Sequence, residues 1–164
     1  MAASATALAL NVDPKKIELA LELFRGLPHR IEIVAEKRGV TYIDDSKGTN
    51  VGAVVEAIDA LAAPIILIAG GLDKGGDYGP LRRPLSEKVK LAIFNGAART
   101  KMRDALDGAT TIDLVATLHE AVEHAAQAAR AGDTVLLSPA CSSFDQFKDY
   151  AERGNVYKEL VRAL

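Results

Sequence analysis

The chain has no tryptophan, and only 5% of its 164 residues are aromatic, so any core must be built mainly from Ala, Val, Ile and Leu. Cys141 is the sole cysteine, which excludes an internal disulfide and fits a reducing cytoplasm. Histidine is equally sparse. His119 and His124 flank Glu120 in a faint echo of a zinc-protease helix, but a spacing of five turns them about 140° apart, so they cannot share a metal. No metal site is expected from this composition. No apolar run approaches the roughly 20 residues of a membrane span, and the apolar first ten residues lack the basic lead of a signal peptide. Nor does charge of one sign accumulate: the formal net charge is −2, with no concentration of Lys and Arg. That excludes a nucleic-acid footprint and makes any anion recognition local. These absences leave a cytoplasmic globular domain.

What is present alternates. Asn11-Val12-Asp13-Pro14 is a stop-and-start signal, with Asp13 placed to cap a helix and Pro14 suited to its first position. Ile17, Ala20, Leu21 and Phe24 then recur at helical spacing until Gly26-Leu27-Pro28 breaks the pattern. Residues 31–35 and 41–44 are β-rich and read as a hairpin. Val51, Val54, Val55, Ile58 and Leu61 make a helical stripe, and the continuous apolar run from Pro64 to Ala69 reads as a strand buried on both faces. Further strands are expected at 90–95, 110–114 and 133–138, with helices at about 98–106, 115–130 and 145–163. The fold class is α/β: a Rossmann-like, doubly wound, mostly parallel six-stranded sheet with helices on both faces.

Ligands of such sheets bind beyond the C-terminal strand ends. There the sequence gathers Asp45-Ser46-Lys47-Gly48-Thr49-Asn50, then Gly70-Gly71-Leu72-Asp73-Lys74-Gly75-Gly76, then Ser138-Pro139-Ala140-Cys141-Ser142-Ser143. Thr49 or Asn50 is explained by helix capping alone. Lys47 is not, because a cation at a helix start opposes the dipole and is better used against a ligand's anion. The glycine loop holding Lys74 is neither a Walker A loop nor a dinucleotide fingerprint. It is equally a flexible turn or a seat for a carboxylate or phosphate. Cys141 has no neighbouring base and reads as a structural thiol. His29-Arg30, taken alone, reads as an exposed basic pair.

Together these stretches resemble one family. Residues 24–30 (Phe-Arg-Gly-Leu-Pro-His-Arg), 45–50, Gly70-Gly71-x-x-Lys74, the run from Leu137 to Phe147 and the closing Arg153-Gly154-Asn155 occur in this order in the Mur ligases of peptidoglycan synthesis. The run from Ser138 to Phe147 resembles the D-glutamate-adding branch most. Folylpolyglutamate synthases share the fold. The resemblance implies residues 1–25 as a helical remnant of a central ATPase domain and 26–164 as the C-terminal domain. It implies a monomeric enzyme using D-glutamate, ATP and UDP-N-acetylmuramoyl-L-alanine, with the Mg2+ ligands on the central domain. By position, His29, Arg30 and Asp45 would contact ATP, and Lys47 would be catalytic, near the transferring phosphate. Thr49, Lys74 and Ser143 would hold the D-glutamate carboxylates, with Phe144 and Tyr150 lining the pocket. Phe144 and Tyr150 depart from the commoner Leu and Phe. Gly48 stands where Ala is commoner, a change expected to matter little. Two other readings stay open: a stand-alone ligand-binding module that docks on a separate catalytic chain, and a related ligase using another amino acid.

Overall fold

The computed structural model describes residues 2–24 and 26–164; Met1 and Arg25, the latter part of the motif at 24–30, lie outside the described residues. Two short helices come first, α1 (Ala2–Ala9) and α2 (Pro14–Leu23). Asp13 caps α2 by accepting a hydrogen bond from Lys15 N, and Pro14 takes the first position, where no N–H is needed. The two pack on each other, yet no residue of theirs whose burial is described lies in the core, and Leu8, Leu10, Leu19, Leu21, Leu23 and Phe24 stay exposed.

The hairpin forms from β1 (Glu32–Lys37) and β2 (Val40–Asp44), antiparallel. Its turn is only Arg38-Gly39, both at positive φ, the geometry whose twist matches the strands. There follow α3 (Val51–Ala60), β3 (Ile65–Gly70), a 3-10 turn (Gly79–Leu81), α4 (Arg82–Lys88) and β4 (Val89–Asn95). The chain ends with α5 (Arg99–Leu106), β5 (Thr111–Leu114), α6 (Leu118–Ala128), β6 (Thr134–Ala140) and α7 (Tyr150–Ala163). The six strands lie in the order β1-β2-β6-β3-β4-β5, and every pair but the first is parallel.

Alternation along the strands divides the core. Ile65, Leu67 and Ala69 face α3, α4 and α5, whereas Ile66 and Ile68 face α6 and α7. All six residues of β3 are buried, as expected of a strand covered on both sides. Two helices start later than the sequence pattern indicates. Thr117 and Glu120 form a reciprocal capping box that sets the start of α6 at Leu118. Asp149 caps α7, so 145–149 stays a loop, and Asp145 is used instead to accept from Ala97 N. Because α3 crosses one face and α7 leaves on the other, the winding reverses around β6. The crevice that doubly wound sheets use for ligands therefore opens above β2, β6 and β3.

Candidate functional site

Three loops meet at that crevice, stitched by backbone hydrogen bonds. Ala140 N donates to Gly48 O at 2.9 Å, joining the loops after β6 and β2. Leu72 and Ser142 exchange bonds of 2.9 and 3.1 Å, joining the loops after β3 and β6. Glycine is required at the end of β3: Gly70 has φ 117°, and a Cβ there would fall on the Asn95 carbonyl. The fold thus brings Lys47, Thr49, Lys74 and Ser143 to one edge.

In the loop after β2, Asn50 is spent as the cap of α3, accepting from Ala53 N. Asp45 is buried and accepts from Ser138 Oγ at 2.6 Å. Burial raises its carboxyl above the ordinary range, against the pull of the Ser138 hydroxyl and the more distant Arg30. Arg30, Asp45 and Lys47 line one cleft of about 300 Å³. Lys47 is exposed, its Nζ 5.6 Å above the Tyr150 ring, a cation–π contact. A Cβ on Gly48 would land on the Asp45 carboxylate and 2.7 Å from Ser138 Oγ. The glycine is therefore not neutral here, contrary to the sequence expectation, because it makes room for the Asp45–Ser138 pair.

In the loop after β3, Asp73 accepts from Lys101 Nζ (2.6 Å), Tyr78 OH (2.8 Å) and Gly75 N (3.1 Å). Lys101 first, then Tyr78, hold its carboxyl below the usual range. Asp73 is thus occupied, and Lys74 beside it is exposed. Neither Arg30, Lys47 nor Lys74 has a carboxylate within ion-pair distance among the described residues. In the loop after β6, Ser143 is buried, with its backbone carbonyl accepting from Gln146 and Phe147. Phe144 is 68% exposed. Tyr150 faces Lys47 and, edge-on at 6.1 Å, His29. Cys141 is fully buried against Tyr78 OH and Met102 Sδ, and burial raises its thiol, as suits a structural residue.

His29 corrects the reading of an exposed basic pair. Arg30 is exposed, but His29 is buried with its Nδ1 at 2.8 Å from Asp44 Oδ2. His29, Glu32 and Asp44 also bring one ligand atom each within 4.8 Å of one another. A hard cation such as Mg2+ does not fit there: it prefers oxygens, and the Lys158 ammonium already sits 2.9 Å from Glu32 and 4.0 Å from Asp44. His119 and His124 approach different partners, Glu123 and Asp113, each at 3.5 Å. Sequence reasoning gathered Ser138 at the site's edge but not as the partner of Asp45, and it gave no site role to Asp44 or Arg153; the tandem Asp44-Asp45 at a strand end was the available signal for Asp44.

The fold is of the doubly wound, Rossmann-like class, and its strand-end loops place cations that lack an ion-pair partner among the described residues beside hydroxyls. Residues 29–141 match the family described as "Mur ligase, glutamate ligase domain", and the chain belongs to that family. It is 49% identical over all 164 residues to the UDP-N-acetylmuramoylalanine–D-glutamate ligase of Geotalea daltonii. It spans only 36% of that protein's length. The folylpolyglutamate synthase/dihydrofolate synthase of Yersinia pestis superposes with a TM-score of 0.70 at 20% identity, over 96% of this chain and 38% of that one. The MurF ligase of Thermotoga maritima in complex with ADP gives 0.61 at 16%, over 98% and 37%. These two structures share the fold. No helix among the described residues is long and apolar enough to cross a membrane.

Proposed function

We propose that the chain is the amino-acid-binding domain of an ATP-dependent ligase that joins D-glutamate to UDP-N-acetylmuramoyl-L-alanine in the cytoplasm. The observation that carries this reading is that Lys47, Thr49, Lys74 and Ser143 sit on three interlocked loops, with neither lysine in an ion pair among the described residues. D-Glutamate brings two carboxylates, and Lys74 with the hydroxyls of Thr49 and Ser143 supplies partners for them. Arg30, Asp45 and His29 lie on the ATP side, and the ADP complex of the MurF ligase supports a nucleotide in such folds. ATP would phosphorylate the alanyl carboxylate, and the amine of D-glutamate would displace phosphate. Lys47 would then stabilise the charge that builds on the transferring phosphoryl group. The domain's main contribution is to hold the amine in line with the activated carboxyl.

In this reading residues 1–25 belong to the central domain, against which the exposed apolar side chains of α1 and α2 would pack, and Mg2+ is held on that domain. The test uses the longer protein. Lys47→Ala should lower kcat by about 10²-fold or more, the scale of losing one transition-state donor. Lys74→Ala should raise KM for D-glutamate by about 10-fold or more, the worth of a hydrogen bond to a charged group. Unchanged kinetics in both variants would leave these roles without support. The 164-residue chain alone should form no amide.

A further inference from the structure

The least comfortable side chain in the molecule is Arg153. It sits in α7 with only 3% of its surface exposed. No carboxylate lies within ion-pair distance of it among the described residues. Its Nη2 donates to the carbonyls of Ser46 (3.0 Å) and Cys141 (3.2 Å). Its Nη1 lies 3.1 Å from where a Cβ of residue 71 would stand, so the guanidinium packs against Gly71 as well. Those three contacts fall on the three loops that carry Lys47 and Thr49, Ser143, and Lys74. Among the described residues, Nε and Nη1 have no hydrogen-bond partner, and neither has the buried hydroxyl of Ser46. Burial lowers the guanidinium to about 10, so it remains a cation at neutral pH.

A neutral amide could bridge two carbonyls without the cost of burying a charge. Asp145 and Asp44 act on Arg153 only from beyond ion-pair distance. A buried cation with two N–H groups unpartnered is therefore kept at a net cost unless an anion arrives to use its field, which in low dielectric reaches further than a surface charge does. We infer that Arg153 is a positioning residue for the dicarboxylate: it locks the three loops in register and supplies positive potential from beneath the pocket. This rests on the D-glutamate reading for its second half only; the loop lock stands or falls by itself.

The two halves separate in Arg153→Lys, which keeps the charge but reaches fewer carbonyls, and Arg153→Gln, which keeps a donor but loses the charge. Amide hydrogen exchange and D-glutamate titration, both by NMR on the whole 164-residue chain, read them out. Both variants should speed exchange at Leu72, Ser142 and Gly48 together by about 10-fold or more, with α6 unchanged. D-Glutamate binding should fall about 10-fold in Arg153→Gln and less in Arg153→Lys. Unchanged loop exchange, or Gln binding as tightly as wild type, overturns the inference. If the wild-type chain bound no dicarboxylate while the loops still loosened together, the D-glutamate reading would fall and the lock would stand. If neither variant folds, the wild-type Arg153 Nε–H decides: slow exchange and hindered rotation support the lock, and a freely averaged signal refutes it.

Discussion

Replacing Gly154 with alanine should reverse the usual sign of a glycine-to-alanine change in a helix. In the interior of α7 the substitution would ordinarily add about 1 kcal/mol of stability, by removing glycine's excess backbone freedom. Here the new Cβ would land on the His29 ring nitrogen, 2.5 Å from Ser46 Oγ and 2.7 Å from Asp44 Oδ2. Those atoms cannot retreat easily, because His29 and Asp44 are buried and bonded to each other at 2.8 Å. Overpacking costs about 1–3 kcal/mol, and losing a hydrogen bond to a charged group costs about 1.5–3 kcal/mol. Against the helix gain, the balance is a loss of about 2–4 kcal/mol, or roughly 6–12 °C in Tm for a chain of this size. Gly52→Ala in α3 is the control, since its Cβ would meet only Asn50 Oδ1 at 3.5 Å. Urea and thermal unfolding of both variants give the comparison. A Gly154→Ala chain as stable as wild type would refute the packing argument, and with it the claim that the His29–Asp44 pair is seated on bare helix backbone.

Other outcomes follow from the same site. Because burial raises the Asp45 carboxyl above its ordinary 3.8, the folded chain holds that proton more tightly than the unfolded chain does. Stability should therefore fall as pH rises from near 3.8 through the folded-state value, and the penalty persists above it. Asp45→Asn should remove that dependence and gain about 1 kcal/mol at pH 7 in urea unfolding; a variant less stable at pH 7 than at pH 4 relative to wild type would contradict the sign. Gly48→Ala should cost about 1 kcal/mol by displacing the Asp45 carboxylate from Ser138, with the loss of that bond visible in a crystal structure of the variant.

Much of the architecture was legible because it rests on periodicity. The uninterrupted apolar run from Pro64 to Ala69 announced a doubly covered strand, observed at Ile65–Gly70, and Asp13-Pro14 announced a helix start. The short α4 was not legible: Pro80 and Pro84 lie in and around it, and both read as breakers. It forms because Leu81 and Leu85 are buried against the sheet. The edge on which the site sits was legible from residue chemistry, since Lys47, Lys74 and Ser143 all follow strands. Its support was not. Arg153 touches loops more than 80 positions away in sequence, at Ser46 and Gly71, and a charged residue in a helix ordinarily reads as solvated. Likewise nothing local distinguished His29, whose burial depends on Asp44 from the neighbouring strand.

Together the three strand-end loops should grip a dicarboxylic amino acid. Titration of the isotope-labelled 164-residue chain with D-glutamate, L-glutamate and diaminopimelate, followed by NMR, is the decisive measurement. D-Glutamate should move the amide signals of Thr49, Lys74 and Ser143 together and at lower concentration than the other two. Equal responses to all three compounds, or shifts confined to a region away from these loops, would contradict it.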